Sequence, residues 1–177
     1  MKPTRLGYDA SCRRLQPDYL DPGQRPSVPD GRPRHDDPEP LGVSFFRTFV
    51  GEGDDFSHLT LPRTFFGRSE INDAAFVNTD LRESNLCWNE FIDVDFTDGV
   101  LAGSDLRASR FTRVRFVRCD LRGADLRRSS FEDCAFDGAM MTGAILTPAA
   151  GAGLTLSAEQ RTAIAWADDD GPEPDGG

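Results

Sequence analysis

The sequence predicts an all-β chain wound into a four-sided β-solenoid, with a short helix capping its C-terminal end. Three observations predict it. From Phe56 to Leu146 a large apolar residue returns every five positions, through nineteen units without a slip. From Leu81 onward these residues run Leu, Leu, Phe, Phe and begin again, so the chemical period is twenty residues. Two positions before most of them stands a small residue, as at Thr79, Ser84, Ser104, Ser109, Cys119, Ala124, Ser129, Cys134, Ala139 and Ala144, with Leu59 and Asn89 the larger exceptions. Internal repetition on this scale decides a fold before local propensity does.

A period of five suits neither a continuous helix nor a continuous strand. On an α-helix each step turns roughly 500°, so the large residues would smear around the cylinder. In an unbroken strand an odd step sends successive large residues to opposite faces. The chain must therefore turn a corner once per unit. Four sides per coil would stack Leu81, Leu101 and Leu121 on one wall and Phe96, Phe116 and Phe136 on another, each about 4.8 Å above the last.

The remaining elements follow in order. Residues 1–40 hold eight of the twelve prolines and few aliphatics, and are expected to form a disordered arm. Residues 41–53 are apolar but off the five-residue rule, which suits an N-terminal cap plugging the first coil of the array at 54–148. In the C-terminal cap, residues 149–167, Ser157-Ala-Glu-Gln160 reads as a capping box opening a helix through Ala165. Leu154, Leu156, Ile164 and Trp166 are expected to cover the last coil. The same cap is where a homodimer would form. Residues 168–177 read as a solvated acidic tail.

Thirty acids against twenty bases give the 177 residues a net charge of -10, and every base except Lys2 is arginine. That balance argues against direct binding of nucleic acid or an anionic membrane. His35, His58, Cys12, Cys87, Cys119 and Cys134 lack metal-ligand spacing, so a reduced, cytoplasmic protein without metal or cofactor is expected. The N-terminus has no apolar signal core, and no apolar run approaches the ~18 residues of a membrane span.

The units Ser104-Asp105-Leu106-Arg107, Cys119-Asp120-Leu121-Arg122-Gly123 and Ala124-Asp125-Leu126-Arg127 resemble the A(D/N)Lxx consensus of the pentapeptide-repeat family, as found in its bacterial members. The resemblance covers roughly residues 54 to 148. It implies that family's right-handed quadrilateral β-helix. It also implies a function to weigh, because some members resemble a DNA duplex in shape and charge and protect type II topoisomerases such as gyrase from quinolones or peptide toxins.

Charge within the array is divided. Residues 70–105 carry nine acids against Arg82, and residues 107–128 carry eight arginines against Asp120 and Asp125. Adding twenty to Glu90, Asp93, Asp95 and Asp98 lands on Arg110, Arg113, Arg115 and Arg118, which predicts a ladder of ion pairs between coils. Arg107, Arg122, Arg127 and Arg128 are left over and form an arginine-rich corner, a candidate surface for an acidic partner segment. Trp88 projects near a corner beside Cys87, Ile92 and the stacked Arg68, either as an interface anchor or in a local cation–π pair.

No catalytic constellation survives the register. The inward Ser and Cys residues are packing residues, neither histidine lies beside one, and the carboxylates point mostly outward. The reading is therefore a non-catalytic protein–protein interaction module on a rigid solenoid. Its rival is a DNA mimic that binds gyrase or topoisomerase, with Asp80, Glu83, Glu90 and Asp105 as the mimicking acids. A rod of about 23 Å of duplex would carry roughly 13 or 14 negative charges. The array nets -5, from sixteen acids and eleven arginines between residues 54 and 148, and its later half is positive.

Overall fold

The computed structural model describes residues 4–15, 44–46, 49–51 and 53–168. The expectations for residues 16–40 of the arm and 169–177 of the tail lie outside the described residues. The elements are α1 (Tyr8–Leu15), β1 (Ser44–Phe46), β2 (Phe49–Val50), β3 (Phe65–Gly67), β4 (Glu70–Asn72), β5 (Glu90–Ile92), β6 (Arg110–Thr112), β7 (Ser130–Glu132), β8 (Ile145–Leu146), α2 (Pro148–Ala152), α3 (Ala158–Ala163) and β9 (Ala165–Trp166).

Every pairing inside the array joins residues twenty apart, in parallel. On one wall β4, β5, β6 and β7 stack Glu70 on Glu90, Glu90 on Arg110 and Arg110 on Ser130. Single bridges repeat the offset on the other three walls, as in Asp55–Ala75, Asp80–Val100 and Asn85–Asp105. The chemical period read from the sequence is thus the length of one coil. Corners arise two residues after each large apolar residue, where φ is positive at all eighteen positions from His58 to Gly143, fourteen of them not glycine. Many are closed by an i to i+3 hydrogen bond, such as Gly99 N–H to the Phe96 carbonyl at 2.9 Å and Ala124 N–H to Leu121 at 3.0 Å. This is the hydrogen bond of a β-turn whose third residue is left-handed.

The large residues fill the bore. Phe56, Phe76, Phe96, Phe116 and Phe136 stack with ring centroids 4.8, 5.3, 5.5 and 4.9 Å apart. On the wall before them Phe91, Phe111 and Phe131 stack at 5.0 and 5.2 Å. The two stacks meet edge to face, as for Phe111 and Phe116 at 5.5 Å, the geometry aromatic quadrupoles favour. The small inward residues bind successive coils: Ser104 Oγ accepts from Ser84 N–H at 3.2 Å and donates to the Leu81 carbonyl at 2.9 Å. Ser109 does the same for Asn89 N–H and the Leu86 carbonyl, at 3.1 and 3.0 Å. A buried hydroxyl is tolerable only because both of its roles are filled.

Two expectations about the ends need correction. β1 and β2, within the expected cap, extend the stack rather than plug it: they pair with β3 and β4 as two sides of a preceding coil, Ser44 beside Phe65 and Phe49 beside Glu70, an offset of twenty-one. One additional residue between Val50 and Asp55, at the bend carrying Gly53 with φ +84°, restores the offset to twenty at Asp55–Ala75. Pairing follows the backbone, so this bulge moves the apolar side chains off the five-residue rule without ending the stack. The second correction concerns residues 4–15, assigned to a disordered arm. They form α1 and its approach, docked on the open edge of the first coil. Leu6 N–H donates to the His58 carbonyl at 2.8 Å, Thr60 N–H to Ser11 Oγ at 2.8 Å, and Arg14 to the Ser57 carbonyl at 2.9 Å. Proline content argued for disorder, but that edge offers hydrogen bonds that composition cannot register.

At the other end the capping box is present, with Ser157 N–H on Gln160 Oε1 at 2.9 Å and Gln160 N–H on Ser157 Oγ at 3.1 Å. The helix ends at Ala163 rather than Ala165, because the chain there rejoins the stack: β9 pairs with β8, Ile145 beside Ala165, again twenty apart. Leu154 and Ile164 are buried over the last coil, while Trp166 packs instead on Gly151 and donates from its indole to the Arg161 carbonyl at 3.0 Å. Gln160 Nε2 reaches the Phe136 carbonyl at 2.7 Å.

Candidate partner-binding surface

The strand rule places the residues before and after each large apolar residue side by side on the outer wall. In seven of the nineteen units the earlier one is Asp or Asn, and its side chain serves the chain locally. Asp105 Oδ1 accepts from Arg107 N–H at 3.0 Å, Asp95 Oδ1 from Thr97 N–H at 2.8 Å and Asp120 Oδ1 from Arg122 N–H at 3.1 Å. A carboxylate or amide at this position satisfies a donor that the turn would otherwise leave to solvent.

Where arginine follows, the same acid also takes its guanidinium. Arg107 pairs with Asp105 at 2.9 Å, Arg122 with Asp120 at 2.7 Å and Arg127 with Asp125 at 2.7 Å, and Arg82 pairs with Asp80. Hydrogen bonding from Arg122 is the main reason that Asp120 lies below the usual carboxylate range. The arginine-rich corner is therefore largely paired within its own units. Arg127 is buried, and Arg107, Arg122 and Arg127 are each held by an acid of their own unit, with Asp125 also 3.8 Å from Arg107. Arg128 stands on an exposed left-handed corner.

The four ion pairs between coils are all formed: Glu90–Arg110 at 3.5 Å, Asp93–Arg113 at 2.6 Å, Asp95–Arg115 at 3.6 Å and Asp98–Arg118 at 2.9 Å. The same accounting changes the acids assigned to duplex mimicry. Asp80 is buried against Arg82, Glu90 is paired with Arg110 and Asp105 with Arg107. Only Glu83 of the four stands on an exposed corner. Among the described residues burial raises the Cys119 and Cys134 thiols above the ordinary range, and Cys87 Sγ donates to Asn85 Oδ1 at 3.0 Å.

Trp88 is different. Its residue is 63% exposed at a left-handed corner, φ +60°, where a bulky side chain is unusual. It edges an open groove of about 430 Å³ lined by Arg68, Ser69, Glu70, Trp88, Asn89, Glu90, Ala108 and Arg110. Of the residues grouped with Trp88 from sequence, Arg68 shares this groove, whereas Cys87 and Ile92 lie outside its lining. Sequence reasoning missed Glu70 and Ala108. The signal was available in the register: twenty beyond Trp88 stands Ala108, too short to cover the ring.

Fold and surface together define a β-solenoid repeat protein with ion-paired walls and an open groove at the Trp88 corner. Eight copies of the pentapeptide repeats family model match residues 90–128 and 109–147. Residues 90–147 thus match the pentapeptide-repeat family, and the fold is a right-handed quadrilateral β-helix. Among solved structures, Rfr23 from the cyanobacterium Cyanothece is 19% identical over 56% of this chain and 80% of its own, with a TM-score of 0.53. HetL from the cyanobacterium Nostoc, described as involved in heterocyst differentiation regulation, is 16% identical over 60% of this chain, with a TM-score of 0.49. The match spans about half of HetL, 48% of its length. QnrB1, described as a plasmid-mediated fluoroquinolone resistance protein, is 12% identical over 60% of this chain and 71% of its own, with a TM-score of 0.34. No curated protein matches the sequence. Among the described residues no helix is long and apolar enough to cross a membrane.

Proposed function

We propose that this protein is a non-catalytic interaction module that docks a protein partner at the groove beside Trp88. The observation that carries the reading is the exposure of a bulky aromatic ring at the edge of an open groove. Exposed tryptophans beside concave, mixed polar lining are the usual anchors of protein interfaces. The bore supports it from the other side, being filled by leucine and phenylalanine with no room for a substrate. Duplex mimicry toward gyrase has less support, because three of its four acids are occupied by arginines of the same rod.

The test is capture from native extract on immobilised wild type, Trp88→Ala and Met140→Ala, the last changing a 46% exposed side chain on another wall. A partner retained by wild type and Met140→Ala and lost with Trp88→Ala, at an unchanged melting temperature, is expected. Identical capture by all three would reject the groove as the docking site. Gyrase supercoiling is expected to be unaffected, and protection of gyrase from quinolone by wild type would reverse the order of the two functions.

A further inference from the structure

We infer that the Trp88 groove recognises a single cationic side chain, an arginine or lysine projected by an otherwise uncharged partner segment. This rests on the docking role proposed above and specifies what is docked.

Two features of the groove point to a cation. The first is the register of its acids. Glu70 stacks directly on Glu90 as a cross-strand pair of β4 and β5, an arrangement in which like charges about 4.8 Å apart repel. Arg110 relieves only Glu90, at 3.5 Å. Among the described residues no ion pair reaches Glu70. An incoming guanidinium or ammonium would satisfy Glu70 and separate the two carboxylates, whereas an anion would add a third like charge.

The second feature is the aromatic ring. Trp88 precedes Glu90 by two residues and overlooks Ala108 in the next coil, so a face of the indole stays accessible. A cation over indole gains from the ring quadrupole, and arginine adds planar stacking. Formal charge in the lining cancels, Arg68 and Arg110 against Glu70 and Glu90. The lining itself therefore adds no net charge, and selection operates on the one side chain that enters. A second cation entering beside the first would meet Arg68 or Arg110, so the groove suits one cationic side chain at a time.

Arg68 is the natural competitor, standing twenty residues before Trp88 on the same corner column. Arg68 and the exposed Arg110 are the groups in the groove that could instead hold an anion, which the glutamate peptide below tests.

The experiment uses the full chain labelled with ¹⁵N and three blocked pentapeptides, Gly-Ser-X-Ser-Gly, with X as arginine, citrulline or glutamate. The indole N–H of Trp88 is identified by its loss in Trp88→Phe. The arginine peptide is expected to shift that resonance and the amides of Ser69, Glu70, Asn89 and Glu90 saturably, at the millimolar affinity usual for a single anchor. Citrulline, isosteric but neutral, should bind at least about fivefold more weakly, as should the arginine peptide to Glu70→Gln. Equal binding of arginine and citrulline peptides, or preferential binding of glutamate, would overturn the inference. So would an arginine peptide that shifts nothing in the groove. Should extract capture depend on Trp88 while the arginine peptide fails, the docking role stands and the cation specificity falls. Should capture ignore Trp88, the docking role itself falls.

Discussion

At each corner the chain holds a residue at positive φ, between 51° and 63° in the fourteen positions without glycine, although an L-side chain there costs roughly 1–2 kcal/mol. Gly123, φ +67°, isolates that cost, because a Cβ added to it would touch nothing within 4 Å. Gly123→Ala is therefore expected to lower unfolding free energy by about 1–2 kcal/mol with no change in the denaturant slope, measured by chemical unfolding. The charged residues give a second outcome, in pH. Hydrogen bonds from Arg113 and Arg122 hold Asp93 and Asp120 below the ordinary carboxylate range. Their stabilisation is complete above the unfolded value, about 3.9, and is lost as pH falls through the folded values. Melting temperature should stay level down to about pH 5 and fall below about pH 4, and Asp120→Asn should shallow that fall. The pairs between coils were legible in the sequence, because adding twenty to an acid found an arginine. The pairing inside Asp-Leu-Arg was not seen, although period two along a strand puts both side chains on one face. Attention to the longer repeat hid the shorter one, and with it the reason that the arginine-rich corner is already occupied.

The elements differ in how much of their energy is local. Two- and three-residue strands have no stability alone, and each is fixed by rings and hydroxyls from the coils above and below. Phe116 lies between Phe96 and Phe136 at 5.5 and 4.9 Å, so a cavity there is walled by rings that the neighbouring coils hold in place. Phe116→Ala should cost about 3–5 kcal/mol in thermal or chemical unfolding; an unchanged melt would contradict this packing. Arg113→Glu should lower the melting temperature and recover part of the loss in added salt, since it would set three acids in one column with Asp93 and Asp133. The walls could be read because one residue type recurs at one position. The N-terminal closure could not, because β1 and β2 are placed by backbone pairing across a bulge, and α1 by hydrogen bonds to an edge that exists only once the coil is built.

For the molecule as a whole, those closures set where it opens first. α1 and its approach bind through a few hydrogen bonds, whereas the array beyond is sealed on both sides of every coil. Ser11→Ala should accelerate hydrogen exchange at the Thr60 amide, whose partner is Ser11 Oγ, while leaving amides near Phe96 and Phe116 at the global rate. Equal acceleration throughout would mean that the segment and the array unfold as one. The twenty-residue coil has a further consequence at the level of the gene. Each five-residue unit obeys the same local rule, so loss of one unit would pass unnoticed by any local criterion. Yet deleting residues 104–108 would rotate everything after it by a quarter turn, setting Leu121 over Phe96 and Arg113 over Trp88. The chain is thus written in two frames at once, and only an insertion or deletion of a whole coil keeps both in phase.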